Sequence, residues 1–233
     1  MPSTLAAQAS RVCAAFYTRC MADWVTISSL AAAGGTLVLA VATFASVRSA
    51  NRAARVAEVS VMAGLRPLLM PSRLDDADQK VGFMDDKWLY IEGGMGAAEA
   101  ADGAVYLAIA LRNAGNGIGV LHGWHLYPER PESNDAHPDP AGFTRLSRDL
   151  YIPPNDVGFW QGAFRDPDTA EFQAARRAVE ARERLTIDVL YGDHEGGQRT
   201  IGRFALVPRD DGKWIASVAR HWELDRADPR DRT

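Results

Sequence analysis

The stretch Trp24 to Val47 constrains this chain more than any other. It is an unbroken run of apolar and small residues with no charged side chain. A helix needs roughly 20 such residues to cross the hydrocarbon core of a bilayer, and nothing else in the sequence is comparable. Residues 24–47 are therefore read as a transmembrane helix behind a short N-terminal tail, 1–23. A cleaved signal peptide is the competing reading. Ala40-Val41-Ala42 offers a small-x-small site, with Arg11 and Arg19 as the basic flank. The apolar run continues past that site and exceeds the usual length of a signal's apolar region, which favours an anchor. Cys13 and Cys20 both precede the anchor. The chain beyond it has no cysteine for a disulfide framework or a cysteine-ligated metal.

Beyond the apolar run, Arg48, Arg52 and Arg55 fall at i, i+4 and i+7, on one helical face. Neither Pro nor Gly interrupts the chain until Gly64, and Arg66-Pro67 ends the pattern. The spacing predicts one helix from about Asp23 to Ala63. Residues 48–65 form a juxtamembrane stalk whose Arg48, Arg52 and Arg55 face the lipid bilayer. Ala31 and Gly35, small residues four apart, would let two copies pack closely as a homodimer.

Charge divides at the same place. Up to Arg66, six arginines against Asp23 and Glu58 give +4, which leaves −8 for the remainder of a chain whose total is −4. An acidic domain repels phosphate backbones, so no nucleic-acid partner is expected. The flank richer in arginine tends to stay in the cytoplasm. On the N-terminal side that flank holds only Arg11 and Arg19, and neither if translation starts at Met21. The expected placement is a single-pass protein of the plasma membrane, N-terminus outside and domain cytoplasmic. The alternative puts the domain outside.

From Pro67 the periodicity changes from helical to alternating, and residues 66–224 are read as one β domain. Leu68 to Met70 is a short strand between prolines. Val81–Met84 and Lys87–Ile91 flank Asp85-Asp86 as a hairpin. Gly93 to Gly103, rich in Gly and Ala, reads as a loop. Val105, Leu107, Ile109 and Leu111 alternate strictly, as do Val120, His122, Trp124 and Leu126. Pro128 to Gly142 loops out. Leu150–Ile152 and Val157–Phe164 are strands, and Asp166-Pro167 opens a helix from Pro167 to Glu183. Strands at Leu185–Tyr191, Arg199–Val207 and Lys213–Leu224 complete the domain, with 225–233 as a disordered tail. Many strands with one helix argue for a mainly β sandwich.

The turn Leu111-Arg112-Asn113-Ala114-Gly115-Asn116-Gly117 resembles the L-x-N-x-G-x-G strand turn of bacterial immunoglobulin-like sandwich modules. Tyr191-Gly192-Asp193 with Gly196 looks like the late Y-x-D-x-x-G hairpin of such modules. The layout of short N-terminus, one helix, arginine stalk, Arg-Pro and β domain is similar to that of uncharacterised bacterial single-pass membrane proteins with an immunoglobulin-like β-sandwich domain. The resemblance implies that fold, with one added α-helix, and no activity.

Constellations for chemistry are sparse. Gly115-x-Gly117-x-Gly119 lacks the third glycine of a dinucleotide fingerprint, since Val120 stands there, and a strand rather than a helix follows. His194-Glu195-Gly196-Gly197-Gln198 lacks the second histidine of a zinc-protease helix. His122 and His125, three apart on a regular strand, would point to opposite faces. Asp75, Asp76, Asp78, Asp85 and Asp86 lack calcium-loop spacing. Trp88, Trp124, Trp160, Trp214 and Trp222 are read as core rather than groove. The expectation is a membrane-anchored, non-catalytic interaction module with a protein partner and no cofactor. The alternative is a membrane-tethered enzyme or small-ligand sensor using His122, His125 or His194.

Overall fold

The computed structural model describes residues 3–127, 131 and 136–228. Two compact units divide between Ser60 and Val61. Helix α1 (Ser3–Gly64) supplies the first and starts about twenty residues before the expected point. The Ala-rich segment before the anchor contains no Gly or Pro after Pro2, so nothing stops the helix from extending there. Thr26–Gly64 is long and apolar enough to cross a membrane. Its apolar side chains are exposed, Leu39 at 70% and Phe44 at 69%, as lipid contact requires. The hydroxyls of Ser29, Thr36 and Thr43 donate back to the carbonyls of Thr26, Ala32 and Leu39 at 2.9, 2.7 and 2.7 Å. That satisfies polar groups which hydrocarbon could not.

The second unit is mainly β. Its strands are β1 (Leu69–Pro71), β2 (Gln79–Gly82), β3 (Trp88–Ile91), β4 (Met95–Ala101), β5 (Ala104–Asn113) and β6 (Gly119–Tyr127). Then come β7 (Thr144–Ile152), β8 (Val157–Phe164), helix α2 (Ala170–Glu180), β9 (Leu185–Gly192), β10 (Arg199–Pro208) and β11 (Trp214–Glu223). β2 and β3 pair as the expected hairpin. Among the described residues the other nine strands form one sheet, running β7-β6-β9-β10-β11-β4-β5-β8, with β1 beside β4 on the same edge of β5. The two layers expected of a sandwich are thus opposed parts of one curled sheet. Bulges at Leu121/Gly123 and at Arg203/Phe204 add local twist and help it curl.

β5 organises the packing because both of its faces are buried. Its odd residues Val105, Leu107, Ile109 and Leu111 enter the interior with Trp124, Trp160 and Phe204. Trp124 meets Trp160 and Phe164 edge-on, with ring centroids 5.4 and 5.0 Å apart. α2 adds Phe172, Ala175 and Val179 to this core and packs on β4, β5 and β8. The helix begins at Thr169, whose Oγ1 accepts from the Phe172 amide at 3.3 Å, rather than at the expected Asp166-Pro167. The even residues Tyr106, Ala108 and Ala110 lie under the β2–β3 hairpin, against Val81, Phe83 and Ile91. Four of the five tryptophans beyond the anchor are core; Trp88 is 52% exposed, with the Lys80 ammonium 4.4 Å above its ring.

β4 replaces the loop expected at Gly93 to Gly103. A Cβ on Gly96 would lie 2.3 Å from Leu206 Cδ2 and 2.7 Å from the Ala108 carbonyl oxygen. The small residues are there because β4 must pass close to its neighbours, and pairing with β5 overrides their weak strand preference. The start of the tail is also tied down. Arg66 bonds Asp225 through both terminal nitrogens, at 3.1 and 2.5 Å, and Arg220 pairs with Asp228. Residues 229–233 lie outside the described residues.

Candidate interaction site

The sheet curls until its two margins, β7 and β8, stand side by side, joined by Pro153–Asp156. Among the described residues no backbone ladder joins them. β7 itself is only partly paired. Leu121 faces Leu150 and Gly123 faces Arg145, so Leu146 to Asp149 bow away from β6. β8 spends one edge on β5 and turns the other to the seam.

A cleft of about 230 Å³ opens at this seam. Trp124, Leu146 and Leu150 contribute its apolar lining, and Arg145, Arg148 and Arg165 its charge. Among the described residues no Asp or Glu lines it. That is unexpected in a domain with an excess of eight negative charges. Asp149, the one acid on β7, is engaged by the Tyr151 hydroxyl at 3.4 Å.

The three arginines are not equivalent. Arg165 donates to Asp85 at 3.2 and 3.4 Å. Asp85 also accepts from the Tyr106 hydroxyl at 2.6 Å. Burial works against the Asp85 carboxylate, but the bonds from Tyr106 and Arg165 outweigh it and hold its pKa below the usual range. The Tyr106 hydroxyl is pushed up to about 12, chiefly by that bond. Arg148 spans the seam to the Gly82 carbonyl at 3.4 Å and Gln161 Oε1 at 3.3 Å, both long and both to neutral acceptors. Arg145 is exposed and makes no ion pair among the described residues.

No protein-family profile, curated protein or solved structure matches this chain. Its function has to be read from its own residues.

The histidines do not gather into a centre. The bulge at Leu121/Gly123 places an extra residue in β6, and His122 and His125 both come to the outer face, contrary to the strict alternation expected. His122 Nε2 lies against Gly192, and burial pushes its pKa down. His125 packs on Tyr127 and Phe143, with centroids 5.0 and 6.1 Å away. His194 is exposed in the turn after β9, beside Met62 and Leu65. His221 donates from Nε2 to the Leu69 carbonyl at 2.9 Å. Among the described residues no three His, Cys, Asp or Glu side chains converge as a metal would need.

The stalk and anchor residues of interest lie on α1. Arg48, Arg52 and Arg55 are exposed, and a Cβ on Gly35 would meet nothing within 4 Å. The L-x-N-x-G-x-G turn is structural. Asn113, fully buried, accepts from the amides of Leu68 and Gly115 at 3.1 and 3.0 Å and donates to the carbonyls of Gly117 and Ile152 at 2.6 and 3.0 Å. In the later hairpin, Asp193 accepts from the Gly197 amide at 2.8 Å, and Gly196 takes φ +78.

The seam arginines escape a reading of the sequence. Only Leu150–Ile152 of β7 alternates clearly enough to read as strand, and Arg145 and Arg148 precede it. The one signal is local charge: between Ala141 and Arg148 there are two arginines and no acid, in an otherwise acidic domain.

Proposed function

We propose that this protein is a non-catalytic interaction module, anchored in a membrane by a single helix, whose β domain binds a partner protein at the free margins of its sheet. The observation that carries this reading is the β7–β8 seam: two strand edges with no ladder between them among the described residues, beside a cleft lined by Leu146, Leu150 and three arginines, of which Arg165 is paired with Asp85. Free strand edges are the sites where extended chains add to sheets. The immunoglobulin-like assignment and the grouping with bacterial single-pass proteins belong to the same proposal. The Leu111–Gly117 turn and the Tyr191–Gly196 hairpin support them. Affinity capture of the intact protein from solubilised membranes tests the function. A specific, stoichiometric protein partner is expected; its absence under several mild detergents sinks the reading.

The proposed placement has the N-terminus outside and the domain in the cytoplasm. Arg48, Arg52 and Arg55 would lie at the anionic inner leaflet, each contributing about 1 kcal/mol near the surface. The helix step at Ala31 and Gly35 leaves room for a second copy. A phosphatase fused after Thr233 should be inactive and a fluorescent protein there should glow. Replacing Arg48, Arg52 and Arg55 with Glu should raise the inverted fraction. An active phosphatase fusion on the unaltered chain excludes a cytoplasmic partner.

A further inference from the structure

The geometry points to an acidic, extended peptide segment of the partner protein as the occupant of the β7–β8 seam, entering as an added strand. The inference rests on the interaction-module reading above and names the chemistry of its partner. Backbone supplies the first requirement. β7 and β8 lie alongside each other and, among the described residues, no ladder joins them, so an extended segment would find N–H and C=O groups at strand spacing. A lipid headgroup or a free phosphate would leave those groups unused.

Charge supplies the second. Arg145, Arg148 and Arg165 line the cleft with no Asp or Glu among its described lining residues, whereas the domain around them is acidic. Arg165 is committed in part to Asp85, so Arg145 and Arg148 are the groups available to a ligand. Arg148 now holds the seam by contacts of 3.3 and 3.4 Å to a side-chain amide and a carbonyl. A glutamate or aspartate would replace these with shorter, charge-assisted and bidentate bonds. Arg148 is thus a strap that an acidic side chain releases by offering a stronger acceptor.

Side-chain alternation supplies the third. Successive residues of an added strand point to opposite sides. One set would meet the apolar lining at Leu146 and Leu150, and the other would stand at the arginine rim. The segment should therefore alternate acidic and apolar residues. Nucleic acid fits poorly, because the seam's tryptophan, Trp124, is 3% exposed and offers no face for base stacking.

The test uses the full chain in phosphatidylcholine nanodiscs and fluorescein-labelled peptides followed by polarisation. The peptides are an alternating Glu/Val sequence, its Lys/Val counterpart, and the Glu/Val sequence N-methylated at alternate residues. The Glu/Val peptide is expected to bind, the Lys/Val peptide not, and the N-methylated one at least tenfold more weakly. Arg145→Glu with Arg148→Glu, both exposed side chains, should weaken Glu/Val binding at least tenfold while leaving the near-ultraviolet dichroism unchanged. No binding, equal binding of the Glu and Lys peptides, or indifference to the charge reversal overturns the proposal. Full binding of the N-methylated peptide with displacement by inorganic phosphate overturns it too, by showing an anion site without strand addition. A partner captured equally by the unaltered chain and the doubly reversed variant would remove the seam and leave the interaction-module reading standing.

Discussion

Asp188→Ala is expected to destabilise the β domain by about 3–5 kcal/mol, the usual effect of stranding one member of a buried ion pair. Asp188 and Arg203 face each other across β9 and β10, with side chains 0% and 1% exposed. Arg203 reaches Asp188 through Nε and Nη2, each at 2.8 Å. Nη2 also donates to the Tyr127 hydroxyl, and to the Ala136 carbonyl at 3.0 Å. The Trp222 and Tyr127 rings lie 4.7 Å from the guanidinium carbon. Removing the carboxylate takes away two charge-assisted bonds from a buried guanidinium that cannot shed its charge. The double replacement Asp188→Leu with Arg203→Met should recover most of the loss, because it removes both desolvation penalties together. Urea unfolding of the full chain in detergent, followed by tryptophan emission, measures both. A loss below about 1 kcal/mol for Asp188→Ala would show that the pair contributes little to stability.

Asn113→Ala is expected to cost about 3 kcal/mol or more, for a different reason. Both donors and the acceptor oxygen of the side chain are in use, holding β1, the 113–117 turn and the end of β7 together. Alanine leaves two buried carbonyls and two part-buried amides without this partner, the buried groups at about 1–3 kcal/mol each before relaxation. Asn113→Asp should not rescue it, since a carboxylate would face the carbonyls of Gly117 and Ile152. Gly117→Ala tests the same corner through shape: its Cβ would fall 1.7 Å from the Leu65 carbonyl oxygen, so backbone must move. The same unfolding measurement reads all three. An Asn113→Ala midpoint within error of the unaltered chain would refute the hub.

Local pattern determined much of this protein. The apolar run before Arg48 sufficed for a helix able to cross a membrane, because length and hydropathy are properties of the stretch itself. Strict alternation marked β5 and β9, since each presents an apolar face to the interior at every second residue. The prolines and glycines that punctuate the domain marked most strand ends.

Tertiary structure decided the rest. β4 is strand because Leu206 and the Ala108 carbonyl leave room for nothing larger than Gly96, a constraint imposed by residues distant in sequence. The fate of His122 turned on a single extra residue in β6, which pairing with β7 and β9 accommodates as a bulge and which no count along the sequence reveals. The partnership of Asp188 and Arg203 depends on the register of β10 against β9. The seam, too, exists only once the sheet has curled. Arg145, Arg148 and Arg165 are ordinary surface charges in the sequence, and become one basic cleft because curvature brings the first and last strands of the sheet together without pairing them. Periodicity records which face a residue takes within its own element; which elements meet, and which edges stay open, depends on how the whole sheet closes around its core.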